Sequence, residues 1–195
     1  MMFAIHTWLA VLLLVISGAA SSAGSPLGTV KPLVYGVTQL DLTGSGLPGM
    51  AVLAKRDNFN AHGFDVLTLY VKASLGTGDP AIWRLVPVFE KDTEQLTQYA
   101  SGGADCLLHD FRLFTASGER VLQLVVADRE MGDSYADTER INFKFYALKQ
   151  NTEGVPGRPL YYFEFSHSLV AKQRYCDVGV ALKDELGFSQ YLVQP

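Results

Sequence analysis

Two polar blocks hold most of the residues in this chain that could do chemistry. The first is Asn58-Phe59-Asn60-Ala61-His62-Gly63-Phe64-Asp65. The second is Ser101-Gly102-Gly103-Ala104-Asp105-Cys106-Leu107-Leu108-His109-Asp110-Phe111-Arg112. Two of the four histidines and one of the two cysteines fall inside them. Imidazole together with carboxylate suits Zn, Ni or Cu, so His62, His109 and Asp110, with Asp65 nearby, are candidate ligands for a divalent metal. No H-x-H or H-E-x-x-H spacing presets two ligands on one element, however. The same groups suit a small polar ligand, or a hydrogen-bonded network that pins two loops together. Asn58, Asn60, Asp105 and Asp128 belong to the same candidate binding set.

Guanidinium adds a second kind of chemistry. Arg112 and Arg129 could each clamp a ligand carboxylate in bidentate fashion. Arg129 sits in Asp128-Arg129-Glu130 at the end of an apolar run, where a strand-end ion pair is the plainer reading. Asp41 to Gly46 has the frame of a calcium loop, but only Asp41 supplies a carboxylate, so a turn held by that side chain fits better. No catalytic set stands out. There is no Ser followed three residues later by Lys, no Ser-Asp-Asn, no Lys-Thr-Gly and no G-x-S-x-G elbow, so the serine β-lactamase and hydrolase signatures are missing. No cofactor is implied beyond the candidate divalent metal.

The elements that must position these groups read mostly as strands. Asn142 and Lys144 alternate with Ile141, Phe143 and Phe145, the period of a half-buried strand. Phe64–Lys72, Ile82–Phe89, Leu107–Phe114, Leu122–Ala127 and Leu160–Phe165 are apolar runs of strand length. Leu33–Leu40 and Met50–Ala54 are weaker examples. Gly- and Pro-containing turns separate them. One segment departs from the pattern: Asp177 is a good N-cap, Val178, Leu182 and Leu186 share a helical face, and Gly187 suits the position after the helix. The expectation is a mainly β fold, a single-domain β-sandwich or barrel-like structure with a short C-terminal helix and one disulfide.

Cys106 and Cys176 are the only cysteines. Residues 1–23 read as a signal peptide, with an apolar run from Trp8 to Ile16 and small residues after it, and plausible cuts follow Ala20 or Ala23. In an exported protein an even cysteine count suggests a disulfide, which would stabilise the fold by about 4 kcal/mol through its long loop. Residues 24–195 then form one mature β domain, not membrane-spanning once the signal is removed. The formal net charge of −4 argues against nucleic acid as a partner. At 18% charged and 48% hydrophobic, the chain is globular.

The two polar blocks, together with Leu40-Asp41-Leu42-Thr43-Gly44, Ala127-Asp128-Arg129-Glu130, Gly154-Val155-Pro156-Gly157 and Tyr175-Cys176-Asp177-Val178, resemble the CarG family of carbapenem intrinsic-resistance proteins. These stretches run from about residue 40 to 187. The resemblance implies a mostly β periplasmic protein that shields a bacterium from carbapenem without being a recognised β-lactamase. The expected function is to bind and sequester the antibiotic or to protect its targets. The partners would be a carbapenem or related small molecule and a periplasmic protein. The alternatives are a metal-assisted hydrolase built on His62, His109 and Asp110, and a structural or interaction domain.

Overall fold

The computed structural model describes residues 27–60, 62–103 and 105–192. The signal-peptide expectation for residues 1–23 therefore lies outside the described residues. Twelve strands and one helix follow in order: β1 (Gly28–Val30), β2 (Gly36–Leu40), β3 (Gly49–Arg56), β4 (Phe64–Ala73), β5 (Ile82–Leu85), β6 (Val88–Glu90), β7 (Thr93–Gln95), β8 (Gln98–Gly102), β9 (Leu107–Ala116), β10 (Leu122–Arg129), β11 (Ile141–Gln150), β12 (Tyr161–Val170) and α1 (Val178–Leu186). The strands run in the order β2-β3-β4-β8-β9-β10-β11-β12-β6-β7, an open path, with β1 added at β9 and β5 at β4. All pairings are antiparallel except β12 with β6.

Strand β8 turns the corner between two layers. Its first residues pair with β4, Asp65 opposite Ala100, and its last residues pair with β9, Ser101 opposite His109, with a register shift between Ser101 and Gly102. A Cβ on Gly102 would sit 2.2 Å from the Cys106 carbonyl oxygen, so only glycine lets the two strands approach there. The fold lets β3 and β4 pack onto β9–β12, and Leu53, Leu67, Leu69, Phe111, Leu113, Leu124, Val126 and Phe163 fill the space between. Helix α1 covers the opposite face of β9–β11, burying Val178, Leu182 and Leu186 against Phe114, Val125, Phe143 and Phe145. Strands β9 and β10 are thus covered on both sides. That explains the nearly continuous apolar run Leu124–Ala127 of β10, since a strand with one wet face would alternate.

The helix ends as its sequence implies. Asp177 accepts hydrogen bonds from the Gly179 and Val180 amides, and Gly187 takes the left-handed conformation at φ 72. Cys106 and Cys176 are bonded, with Cα atoms 5.7 Å apart. The second Asp177 oxygen accepts from the Leu107 amide at 2.9 Å, so cap and disulfide fix the helix start to the same end of β9.

Two strand expectations are corrected. Ile82–Phe89 is not one strand. Pro87 lacks an amide hydrogen, and around it the chain leaves β4 and continues as β6 beside β12. Leu33–Leu40 shortens to Gly36–Leu40, because Gly36 adopts φ 98 and Leu33 instead bridges to Leu192.

Candidate functional site

At one end of the sheet, the β3–β4 hairpin, the β8–β9 corner, the start of α1 and the chain after α1 enclose a cavity of about 500 Å³. Such a volume lies within the range of small-molecule sites. Its lining includes Lys55, Asp65, Asp110, Arg112, Asp177, Lys183 and Tyr191. Of the residues anticipated from sequence, Asp65, Asp110 and Arg112 meet here.

Arg112 is only 1% exposed, and its charge is met by the buried Asp110, with Nη1 donating to Asp110 Oδ2 at 2.6 Å. Nη1 also donates to the Phe111 carbonyl, and Nε donates to the Ser189 carbonyl at 2.8 Å. Burial pushes the Asp110 carboxyl above its ordinary value, against the opposing pull of the Arg112 charge and hydrogen bond. The first turn of α1 closes over this pair. A Cβ on Gly179 would lie 3.7 Å from Arg112 Nη2 and from Asp110 Oδ2, in ordinary van der Waals contact with the pair.

Asp65 is also engaged. It accepts the Tyr35 hydroxyl at 2.8 Å and the Tyr191 hydroxyl at 2.9 Å, with the Lys55 ammonium at 3.8 Å. Burial and this acceptor push the Tyr35 hydroxyl up to about 12, and burial with the Asp110 and Asp65 charges raises Tyr191 as well. Both tyrosines are therefore protonated donors at neutral pH. The Tyr191 ring lies under the Arg112 guanidinium at 5.1 Å and stacks on Phe111.

All three lining carboxylates are thus committed to internal donors, since Asp177 is spent on the helix cap and on Leu107. The cations are less committed. Lys183 forms no ion pair among the described residues, and Lys55 has only the long contact with Asp65. The cavity therefore offers positive charge, an aromatic ring and hydrogen-bond donors to whatever enters it, which suits an anion with an apolar body.

The remaining anticipated residues go elsewhere. Asn58 donates to the His62 carbonyl and accepts from Arg56, while Asn60 accepts from the His62 amide, so both shape the exposed hairpin. The His62 ring reaches the Gly102 carbonyl at 3.3 Å and leans on Tyr135, which brings the two polar blocks together. Asp105 is exposed beside the disulfide. His109 bonds through Nδ1 to Asp128 and stacks on Tyr99 at 4.1 Å, and its Nε2 is buried without a partner among the described residues. Arg129 does not face a ligand. It holds the carbonyls of Ser134, Tyr135, Asp137 and Cys176, fixing the loop before β11 to the helix start.

The metal set of His62, His109 and Asp110 does not assemble. Successive residues of a strand point to opposite faces, so His109 and Asp110 cannot share an ion. Each already has its own partner, Asp128 and Arg112. Among the described residues, no group of three or more His, Cys, Asp or Glu side chains is placed to hold a metal. The Asp41 loop is a turn, as expected. Oδ1 accepts from the Thr43 and Gly44 amides and the Thr43 hydroxyl, and Oδ2 from the Gly46 amide.

The sequence reading missed Lys55, Lys183 and Tyr191, and it took Asp177 for a helix cap alone. Helical spacing puts Lys183 one turn from Gly179, a signal present in the sequence. Nothing local marks Tyr191.

The family model for carbapenem resistance protein CarG-like matches residues 33–184. The chain belongs to the CarG-like family. Among solved structures, the crystal structure of CarG is 28% identical, covers 80% of this chain and 94% of its own, and superposes with a TM-score of 0.67. No curated protein matches. The CarG-like region takes in both polar blocks, both cysteines and Lys183, whereas Gln190, Tyr191 and Leu192 of the cavity wall lie beyond its end.

Proposed function

We propose that this carbapenem-resistance-related protein acts in the periplasm by binding the antibiotic without hydrolysing it, in the cavity between β4, β9 and α1. The observation that carries this reading is the imbalance inside the cavity. Asp65, Asp110 and Asp177 are held by internal donors, while Lys183 and Lys55 remain for an anion. A carbapenem brings one carboxylate and a compact bicyclic ring with a polar β-lactam carbonyl; Lys55 and Lys183 can meet the first, and Tyr191, Leu107 and Val180 give the ring a wall to pack against. Binding of this kind protects by stoichiometry, so protection saturates with dose. Export through residues 1–23 delivers the protein to the oxidising compartment that its disulfide suits.

The test is a calorimetric titration with carbapenem, paired with an absorbance time course at substoichiometric protein. Saturable heat with no loss of β-lactam absorbance beyond one equivalent is expected. Multiple turnovers would instead make this an enzyme. Absence of heat at millimolar antibiotic would leave protection of the antibiotic's targets, through a periplasmic partner protein, as the mode of action.

A structural role is favoured for Arg129 by one observation, the four backbone carbonyls it gathers. That role concerns the loops around the disulfide and leaves the cavity free to bind.

A further inference from the structure

The disulfide stands directly behind the wall of the cavity. Leu107 follows Cys106 and Asp177 follows Cys176, and both of these residues line the cavity. The Asp177 carboxylate accepts the Leu107 amide at 2.9 Å, so a covalent bond and a hydrogen bond, side by side, clamp the start of α1 to the start of β9. Gly179, Val180 and Lys183 continue the same wall along the first two turns of α1. The Lys183 ammonium is thus placed by a helix whose start the clamp fixes.

The other ties at the helix start lead elsewhere. Arg129 Nη1 reaches the Cys176 carbonyl at 3.5 Å from β10. Tyr175 pairs with Glu139 through two backbone hydrogen bonds of 3.0 Å, which holds the chain to the segment before β11 and not to β9. The body of the fold does not rest on the bond. Both apolar clusters are built without either cysteine, and Val178, Leu182 and Leu186 stay on the sheet through their own burial. Breaking the sulfur–sulfur bond therefore leaves the helix docked and loosens the cavity wall at its first turn. The two sulfurs also differ in access, since Cys106 is 7% exposed and Cys176 is half-buried.

Resting on the reading of this cavity as the antibiotic site, we propose that the Cys106–Cys176 bond is a redox gate on it. The oxidised protein binds the anionic ligand, and the reduced protein releases it. The reductant is a dithiol. One of its thiolates attacks Cys176 Sγ, the more accessible sulfur, and Cys106 leaves as a thiolate that takes up a proton. The second thiol of the reductant then attacks the mixed disulfide, so the reductant ends as its own disulfide and Cys176 as a thiol. Two electrons and two protons pass to the protein.

The experiment is calorimetry of carbapenem binding to three samples of the full chain. One is oxidised, one is reduced with dithiothreitol and freed of it by anaerobic gel filtration, and one is that sample reoxidised. The variant Cys106→Ala/Cys176→Ala supplies a form that cannot reoxidise. Circular dichroism and amide exchange follow each form. Affinity should be at least tenfold weaker in the reduced and alanine forms and regained on reoxidation. The strand signal should be kept, with faster exchange concentrated at Gly179 and Val180. Equal affinity in oxidised and reduced protein overturns the gate alone. Loss of the strand signal on reduction also overturns it, because the bond would then hold the whole fold. No binding by the oxidised protein overturns the cavity reading, and the gate with it.

Discussion

Asp65 and Tyr191 stand 126 positions apart and share a hydrogen bond of 2.9 Å between carboxylate and hydroxyl. The other Asp65 oxygen takes the Tyr35 hydroxyl, so one carboxylate near the start of β4 ties down the segment before β2 and the segment after α1. The cavity wall at Tyr191 depends on this bond. Asp65→Asn should therefore lower stability by roughly 1–3 kcal/mol, the usual cost of leaving hydroxyl donors poorly matched. Chemical denaturation would show it, and carbapenem affinity should fall in the same variant.

Alkali should release the same tie. The Tyr35 hydroxyl is raised from 10.0 to about 12 by burial and by Asp65, so its contribution is fully present below pH 10 and is lost as pH rises through about 12. The stability difference between the wild type and Tyr35→Phe should shrink across that window. A constant difference would place the pH response elsewhere.

Acid acts on the Asp41 turn. Burial raises that carboxyl, but the hydrogen bonds from Gly46, Thr43 and Gly44 more than offset it and leave it below 3.8. A depressed carboxyl stabilises above its unfolded value, so this contribution is lost as pH falls below 3.8. Asp41→Asn should lower Tm at neutral pH and show a flatter loss on acidification, read from Tm against pH for both proteins.

Lys183 is the cleanest probe of the cavity, because it is exposed and carries no internal ion pair among the described residues. Lys183→Gln should leave Tm unchanged and weaken carbapenem binding about tenfold, or ~1.4 kcal/mol, by calorimetry. Unchanged affinity would remove the antibiotic from this cavity. His109→Ala should do the reverse, lowering Tm through loss of the Asp128 bond and the Tyr99 stack while leaving ligand response intact.

The Cys106–Cys176 bond closes a separation of 70 residues. Reduction should cost about 4 kcal/mol in the chain-entropy picture. It should also loosen the start of α1, because Asp177 and Leu107 meet beside it. Denaturation with and without reductant measures the first effect. Amide exchange at Gly179 and Val180 measures the second.

Much of the architecture was legible because local signals agreed with the fold. Asp177, Gly187 and the Val178-Leu182-Leu186 stripe define a helix through backbone chemistry that acts within a few residues. Strands β9 and β10 are covered on both faces, while β4 alternates buried residues with half-exposed ones. Pro87 lies inside Ile82–Phe89, which the sequence pattern presents as one strand, and its missing amide hydrogen is what divides that run between two neighbours.

The site was only half legible. Residue type alone nominated Asp65, Asp110 and Arg112 together with His109, Asp128 and Arg129. The period-two rule separates His109 from Asp110 as soon as β9 is known to be a strand. Arg129 reads identically to Arg112 in sequence, yet one faces a ring of carbonyls and the other a cavity. Which backbone carbonyls surround a guanidinium is set by how loops return over the sheet.

By itself, then, the sequence determined the mainly β class, the capped C-terminal helix and the single possible cysteine pairing, because each rests on composition, short spacing or count, and it pointed to the family through the resemblance of its motif blocks. Only the tertiary structure decided that β8 turns the corner between layers, that Tyr191 reaches Asp65, and that Lys55 and Lys183 share a cavity with Arg112. These relationships join residues far apart in the chain. Their geometry comes from strand order and sheet packing, which no local pattern encodes.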